Sequence, residues 1–448
     1  MSVGVQRLRE DPEVIRKGAR DKGEDATLVD AALALDARRR ALLGEADTRK
    51  AERNAASKQV GVAIKGGAAP RGPEVAALRA ASVAAGERIA ALDSEIGSVE
   101  AELEDALLRI PNPADPDVPV GDADANVVVR TWGELLPCVV PYAGEVGADA
   151  DPAAGTWQRR PHWEVAERLR IFELERGAKI TGSGFPVYRG AGAGLQRALI
   201  DFFLTVLTRE NGFTEIWPPS VVNAASARGT GQIPDKEDQM YVVTRDELYL
   251  VPTAEVPVTN LHRGEIFEWG ELPVRYAAYS PCFRREAGAA GKDTRGILRV
   301  HQFDKVEMVL FETPEASADA LEWMVGRAED LLRRLGLAYR VLLMATRDMG
   351  FVQAKKYDLE VWAPGVERWL EVSSCSNFRD YQARRMAIRH RPAPGARPEL
   401  VHTLNGSGLA LARVVAAILE TYQQPDGSVR VPGPLQASLG TDVLRPPA

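Results

Sequence analysis

Between Cys282 and Phe303 the sequence crowds Arg284, Arg285, Lys292, Arg295 and Arg299 into one stretch, with Glu286 among them and Gly288, Gly291 and Gly296 loosening the chain. Guanidinium forks grip phosphate oxygens two at a time, and glycines let backbone approach a ligand closely, so this composition suits a polyphosphate. It is not a Walker-type loop, whose Gly-Lys-Ser/Thr signature is absent. A surface hairpin of solvated arginines would carry the same letters. Three further clusters are open in the same way. Glu371-Val372-Ser373-Ser374, at the expected end of a strand, offers a carboxylate and a hydroxyl for Mg²⁺ among phosphates, or a turn. Asn405-Gly-Ser407-Gly-Leu-Ala-Leu-Ala-Arg413 reads as glycines opening an amphipathic helix, with Arg413 on its second turn, a place for an anion or a structural arginine. Val251-Pro-Thr253-Ala254-Glu255 sets a hydroxyl and a carboxylate beside each other, suited to an ammonium group.

The elements that must position these clusters alternate irregularly. Amphipathic helices are predicted at 162–178, 194–211, 316–336 and 406–423. Strands with β-branched or aromatic alternation are predicted at 239–243, 247–251, 273–279, 304–311, 338–344, 357–362 and 368–373. Consecutive strands without helices between them indicate an antiparallel sheet and an α+β body, not a doubly wound one.

The first 110 residues follow a different rule. Apolar or small residues at 75, 78, 82, 85, 89, 92, 96, 99, 103, 106 and 110 keep a 3,4 spacing without a slip, the seam of a coiled coil. A weaker version runs through Leu28, Ala32, Leu35, Leu42 and Ala46, and the Gly- and Pro-rich stretch 65–73 between the two breaks any helix. Helices over 28–64 and 74–109, each about 55 Å long, therefore pair as one antiparallel hairpin. Its first helix is basic, carrying Arg38, Arg39, Arg40, Arg49, Lys50 and Arg53, and the second is acidic. Either the helices attract one another or the basic strip tracks a phosphate backbone. A Pro-rich, acidic, loop-rich linker follows over 111–160, and a body over 161–448.

Composition narrows the class. With 45% apolar and 27% charged residues and a net charge of −7, the chain of 448 residues is an ordinary globular one. Its three cysteines, Cys138, Cys282 and Cys375, form neither a disulfide framework nor a paired zinc motif, and the charged N-terminus is no signal peptide. No apolar run reaches 18 residues. A reduced, cytoplasmic protein without a membrane span is expected.

Taken in order, the four clusters resemble the motifs of class II aminoacyl-tRNA synthetases. Phe283-Arg284-Arg285-Glu286 is similar to the strand–loop–strand of motif 2, 406–413 to motif 3, and 195–219, a helix followed by Gly-Phe-Thr-Glu-Ile-Trp-Pro-Pro, to the dimer-interface motif 1. TAEVPVTN, HQFDKVE, YDLEVW, EVSSCSN, QARR and TLNGSG, with the helical hairpin, resemble the seryl-tRNA synthetase family in particular. The resemblance implies an antiparallel catalytic sheet flanked by helices, preceded by a tRNA-binding arm over 1–110. It implies a homodimeric ligase that joins serine to ATP as an adenylate, then charges tRNA(Ser) and also tRNA(Sec).

By that resemblance, Arg284 grips the α-phosphate and the serine carboxylate, with Arg285 beside it. Glu286 meets the adenine or the tRNA end, Val300 and Phe303 hold the adenine, and Arg413 takes the γ-phosphate. Glu371, Val372, Ser373 and Ser374 line the ATP site, where Glu371 and Ser374 hold Mg²⁺. Thr253, Ala254, Glu255, Glu307, Asn405 and Ser407 receive serine. The arm reaches across to the tRNA of the other subunit, and His301 is structural. No zinc is expected, because the cysteines lie outside the serine segments. Arg347 departs from the pattern, standing where a small residue belongs. Two rivals remain, a ligase loading a carrier protein and a synthetase-like binding protein. The long arm speaks against the first, and the full set of ATP-contacting residue types against the second.

Overall fold

The 3,4 spacing of the second long helix is borne out residue by residue in the computed structural model, which describes residues 4–143, 150–151, 155–287 and 295–447. All eleven seam positions from Val75 to Ile110 are buried or half-buried. The helices run Thr27–Lys65 (α1) and Pro73–Leu108 (α2). Asp25 starts α1 by accepting hydrogen bonds from the backbone and hydroxyl of Thr27. Gly67, at φ +95°, ends it in a left-handed turn open to glycine, and Pro73 starts α2 where no amide partner is needed.

Leu92, Ile96, Ala46 and Leu42 form one packed cluster between the helices. Across the seam, Arg38 meets Glu95 at 2.8 Å, Arg39 meets Glu100 at 3.3 Å and Arg88 meets Glu45 at 2.8 Å. Exposed pairs of this kind contribute about 0.2–1 kcal/mol each. The apolar seam, where truncating one buried leucine costs about 2–5 kcal/mol, is what holds the hairpin closed. Two short helices, Val5–Glu10 and Pro12–Asp21, bury Leu8 and Ile15 in the same unit, which spans Met1–Pro111.

The second unit, Asn112–Ala448, is built on an eight-stranded sheet. In chain order its strands are Val127–Trp132 (β1), Thr214–Ile216 (β2), Val274–Phe283 (β3), Gln302–Glu312 (β4), Tyr339–Leu343 (β5), Lys355–Ala363 (β6), Arg368–Arg379 (β7) and His402–Ala410 (β8). They lie in the order β1-β5-β6-β7-β8-β4-β3-β2, antiparallel except for the short β2–β3 pair. The fold is thus α+β with an antiparallel sheet. Helices Ala191–Thr205 (α3), Ser317–Arg334 (α4) and Leu411–Tyr422 (α5) supply the apolar cover of one face, where Val306, Met308 and Leu310 of β4 join the core.

Three local differences from the sequence reading have clear causes. The stretch 162–178 breaks into His162–Leu169 and Leu174–Ile180, because Arg170 takes a left-handed conformation (φ +52°) and Phe172–Glu173 pairs as a strand. Residues 406–410 continue β8 instead of opening the last helix, so Arg413 lies on the first turn of α5. The stretch 112–160 has no periodic signal, yet it belongs to this unit. The buried Asn112 side chain donates to the carbonyls of Val352 and Phe378, and β1 pairs with β5 through backbone bonds that need no apolar pattern.

Candidate active site

Strand alternation sorts β4 into two sets. Val306, Met308 and Leu310 enter the helix-covered core, while Lys305 and Glu307 face the cleft, which Phe303 also lines. Register then brings Ser407 of β8 opposite Glu307, and Ser374 of β7 opposite Asp358 of β6. Two bulges adjust this pattern. One, opposite Glu360, sets Glu371 and Val372 against a single partner, so Glu371 turns to the open face while Val372 enters the core. The other puts Gly408 and Leu409 of β8 against Val306 of β4, between the Lys305 and Glu307 pairs. Glu371–Ser374 accordingly occupies the middle of β7 and not a strand end, because pairing with both β6 and β8 carries that strand on to Arg379. Gly406 is needed behind this face, since a Cβ there would fall 2.5 Å from the sulfur of Met324 and 2.8 Å from that of Cys375.

The result is one cleft of about 510 Å³ whose wall includes Thr253, Glu255, Arg284, Glu286, Val300, Phe303, Glu307, Glu371, Val372, Ser373, Ser374, Asn405, Ser407 and Arg413. Two of the candidate residues do not line it. Ala254 is fully buried in the apolar cluster with Val258 and Phe311, and Arg285 turns outward, donating to the carbonyl of Asp238 at 3.2 Å.

One end of the cleft is rich in acceptors. Glu255 receives hydrogen bonds from Gln382 Nε2 at 2.6 Å and Asn405 Nδ2 at 2.8 Å. Glu307 accepts from the Thr253 hydroxyl at 3.2 Å and pairs with Lys305. Glu307 Oε1 and Asn405 Oδ1 are buried without a hydrogen-bond partner. Burial, and then the nearby charge of Glu307, push the Glu255 carboxyl up to about 7. Two close carboxylates and orphaned acceptors invite a small cation with several donors.

The other end is rich in donors. The Arg284 guanidinium lies over the Phe303 ring and meets no carboxylate at ion-pair distance among the described residues. Arg413 bridges two segments, donating to the Leu298 carbonyl at 3.1 Å and the Glu371 carbonyl at 2.7 Å, with the Glu371 carboxylate 3.6 Å away. Burial works to raise the Glu371 carboxyl, but Arg413, Lys356, Arg284 and Lys305 together hold it below the ordinary value. Glu286 sits at φ +51°, a strained backbone setting for a residue with a side chain, and pairs with Arg299 at 2.5 Å. Lys292 lies outside the described residues. His301 is held by the Tyr241 hydroxyl at 2.7 Å and stacks on Phe185. Arg347 points to Asp122 at 3.4 Å, away from the cleft wall.

Sequence reasoning missed Lys305, Lys356 and Gln382. The signal for the lysines was available, since each stands two residues from a carboxylate on its own strand (Glu307 and Asp358) and so shares its face. Gln382 opens the family-like QARR segment, but its partner was not legible; the folded chain brings it 127 residues back to Glu255.

Residues 4–114 match the family model of the seryl-tRNA synthetase N-terminal domain, and residues 241–422 match that of the class II tRNA synthetase core domain (G, H, P, S and T). The chain is 49% identical to the serine--tRNA ligase of Gemmatimonas aurantiaca, over 98% of this chain and 99% of the relative. Among solved structures it is similar to seryl-tRNA synthetase from Pyrococcus horikoshii complexed with ATP (TM-score 0.89, 37% identity, all of both chains). It is similar also to the cytoplasmic serine-tRNA ligase of Naegleria fowleri in complex with AMP (TM-score 0.85, 29% identity, 100% of this chain and 99% of that one). With a relative that similar over its whole length, and both halves of the family's architecture present, this chain belongs to the seryl-tRNA synthetase family of class II aminoacyl-tRNA synthetases.

Proposed function

We propose that the cleft binds L-serine at its acceptor-rich end and ATP at its donor-rich end, and that the chain is an ATP-dependent serine--tRNA ligase. The observation that carries the reading is the continuity of the two ends. Thr253, Glu255, Glu307 and Asn405 stand on the same cleft wall as Arg284, Phe303, Glu371 and Arg413. A serine carboxylate oxygen attacks the α-phosphorus, the bond to the bridging oxygen breaks, and pyrophosphate leaves. A hydroxyl of the terminal adenosine of tRNA then attacks the serine carbonyl and AMP leaves.

Neither step needs a side-chain nucleophile; both need positioning and charge stabilisation. Arg284, free of carboxylate partners among the described residues, meets the negative charge that grows on the α-phosphate and the attacking carboxylate. Phe303, under that guanidinium, stacks the adenine, with backbone at Val300 beside it. Glu286 contacts the adenine side or the incoming tRNA end. Arg413 takes the γ-phosphate. Glu255 and Glu307 receive the serine ammonium and hydroxyl, with Ser407 beside them. A site whose acceptors need the hydroxyl rejects alanine, which would leave them unpaired.

Glu371 and Ser374 supply the hard oxygen donors that suit Mg²⁺, and Glu371 is held anionic by four surrounding cations. Bound with ATP, Mg²⁺ would neutralise phosphate charge.

For the arm we infer the role of a tRNA clamp working across a homodimer, on tRNA(Ser) and also tRNA(Sec), in the cytoplasm. The ion pairs of Arg38 and Arg39 with α2 are exposed and weak, so phosphates can displace them. Arg53 has no ion pair among the described residues. Serine-dependent exchange of pyrophosphate into ATP, followed by charging of purified tRNA, tests the whole reading. Exchange without charging would point to a carrier-protein ligase, and no exchange to a binding protein.

A further inference from the structure

Behind the acceptor-rich end lies a group that touches no cleft space of its own. Gln382, on the short helix Tyr381–Met386, is 1% exposed and is not part of the cleft wall. Its Nε2 donates to Glu255 Oε1 at 2.6 Å and to the Thr230 carbonyl at 3.2 Å, while its Oε1 accepts from the Thr403 hydroxyl at 2.8 Å. A carboxylate and a carbonyl can only accept, so the amide has one possible orientation, and Thr403 locks it there. Glu255 is thereby fixed from behind by Gln382 and from the side by Asn405, whose Nδ2 donates to the other oxygen.

On the reading of this pocket as a serine site, we propose that Gln382 is a positioning residue that holds Glu255 as an ionised, correctly aimed acceptor for the substrate ammonium group. Three charged groups face Glu255: Glu307 and Lys305 on β4, and Lys236 in the loop before Glu237. Glu307 opposes ionisation of Glu255, whereas Lys305, Lys236 and the Gln382 amide favour it. Of these, only Gln382 bonds to the carboxylate directly, so it sets direction as well as charge. The protein thus spends a buried amide on a carboxylate that burial would otherwise neutralise.

Gln382→Met keeps the length and bulk of the side chain and removes both donor bonds. In serine-dependent pyrophosphate exchange we expect KM for serine to rise about tenfold, the loss of one hydrogen bond to a charged group, with KM for ATP unchanged. The acidic limb of kcat/KM for serine should move to higher pH. A second readout needs no substrate. In the ligand-free protein, difference infrared titration of the Glu255 carboxyl, assigned by its loss in Glu255→Gln, should show a midpoint raised by Gln382→Met. Thr403→Val, a milder change that only frees the amide to turn, should move KM for serine and the midpoint the same way by less. Parallel rises in KM for serine and ATP, or an unmoved midpoint, would overturn the proposal and leave Gln382 a packing residue. A wild-type enzyme without serine-dependent exchange would sink the serine reading instead, and the infrared titration would still decide whether Gln382 governs Glu255.

Discussion

The guanidinium carbon of Arg284 lies 5.1 Å from the centre of the Phe303 ring. Arg284 directly follows the end of β3 and Phe303 lies at the facing start of β4, where it pairs with Cys282 in the antiparallel register. The ring holds the guanidinium at the cleft wall, where among the described residues it meets no carboxylate and donates to the Pro252 carbonyl, 3.4 Å from Nε. A planar cation fixed in this way is ready for a phosphate and a carboxylate at once.

Arg284→Ala should therefore lower serine-dependent pyrophosphate exchange by at least about 10²–10³-fold, the usual cost of one preorganised charge-stabilising donor. Arg284→Lys should not restore it, because an ammonium neither stacks on Phe303 nor forks between two oxygens. Full exchange in Arg284→Ala would remove this residue from the reaction.

Arg413 stitches the Leu298 carbonyl to β7. Its replacement by alanine should raise KM for ATP about tenfold or more while leaving KM for serine nearly unchanged. Steady-state exchange with each substrate varied in turn separates the two. A rise for serine alone would place Arg413 at the wrong end of the cleft.

The Glu255 carboxyl, pushed up to about 7 by burial and by Glu307, gives the pocket a pH signature. Below that value the carboxyl is protonated and its affinity for an ammonium falls; above it the carboxylate is available. KM for serine should drop as pH rises from about 6 to 8, the window set by that midpoint. An exchange profile measured at saturating ATP with KM for serine flat across this range would contradict the assignment.

On the arm, the cations differ. Arg40 pairs with the fully buried Asp36 at 3.1 Å, and Arg9 meets the same carboxylate at 3.3 Å. Arg53 is exposed and unpaired among the described residues. Arg53→Glu should weaken tRNA binding and flatten its salt dependence with little change in melting temperature, whereas Arg40→Glu should lower the melting temperature as well. Replacing 34–104 with a short glycine bridge should spare exchange and abolish tight tRNA binding, read by filter binding at several salt concentrations.

His402 offers a stability test away from the chemistry. Burial lowers its pKa to about 4, against a smaller opposing pull from Asp380, and its Nδ1 lies 2.6 Å from the Ser317 hydroxyl. Between pH 4 and 6.5 the unfolded chain binds a proton that the folded chain refuses, so stability is present above about 6.5 and falls as pH drops through that window. His402→Gln should flatten the melting-temperature profile over the same range.

The coiled-coil seam was legible in the sequence because burial there repeats every 3.5 residues along a single helix, so eleven positions carry the same signal. The strands were legible in type but not in extent. β7 continues past Ser374 to Arg379 because β6 and β8 flank it, and the segment's own letters do not reveal neighbours. Nor do they reveal the bulge that turns Glu371 outward. Residues such as Arg284 and Arg413 could be named from motif order. Lys305 and Lys356 pair with Glu307 and Asp358 on their own strands, whereas Gln382 acts through long-range contacts and has meaning only once Thr230, Thr403 and Glu255 surround it. Gly406–Ala410 resembled a helix start because small residues suit both a helix N-terminus and a crowded central strand.

Gly406 ties the hidden side of the catalytic sheet to the exposed one. Its missing side chain lets β8 settle against Met324 and Cys375, and the residues on either side of it, Asn405 and Ser407, line the cleft. A single methyl group added there would lift both neighbours together, so the shape of the acceptor-rich end proposed to receive serine is anchored partly in the fit between a helix and the back of a strand.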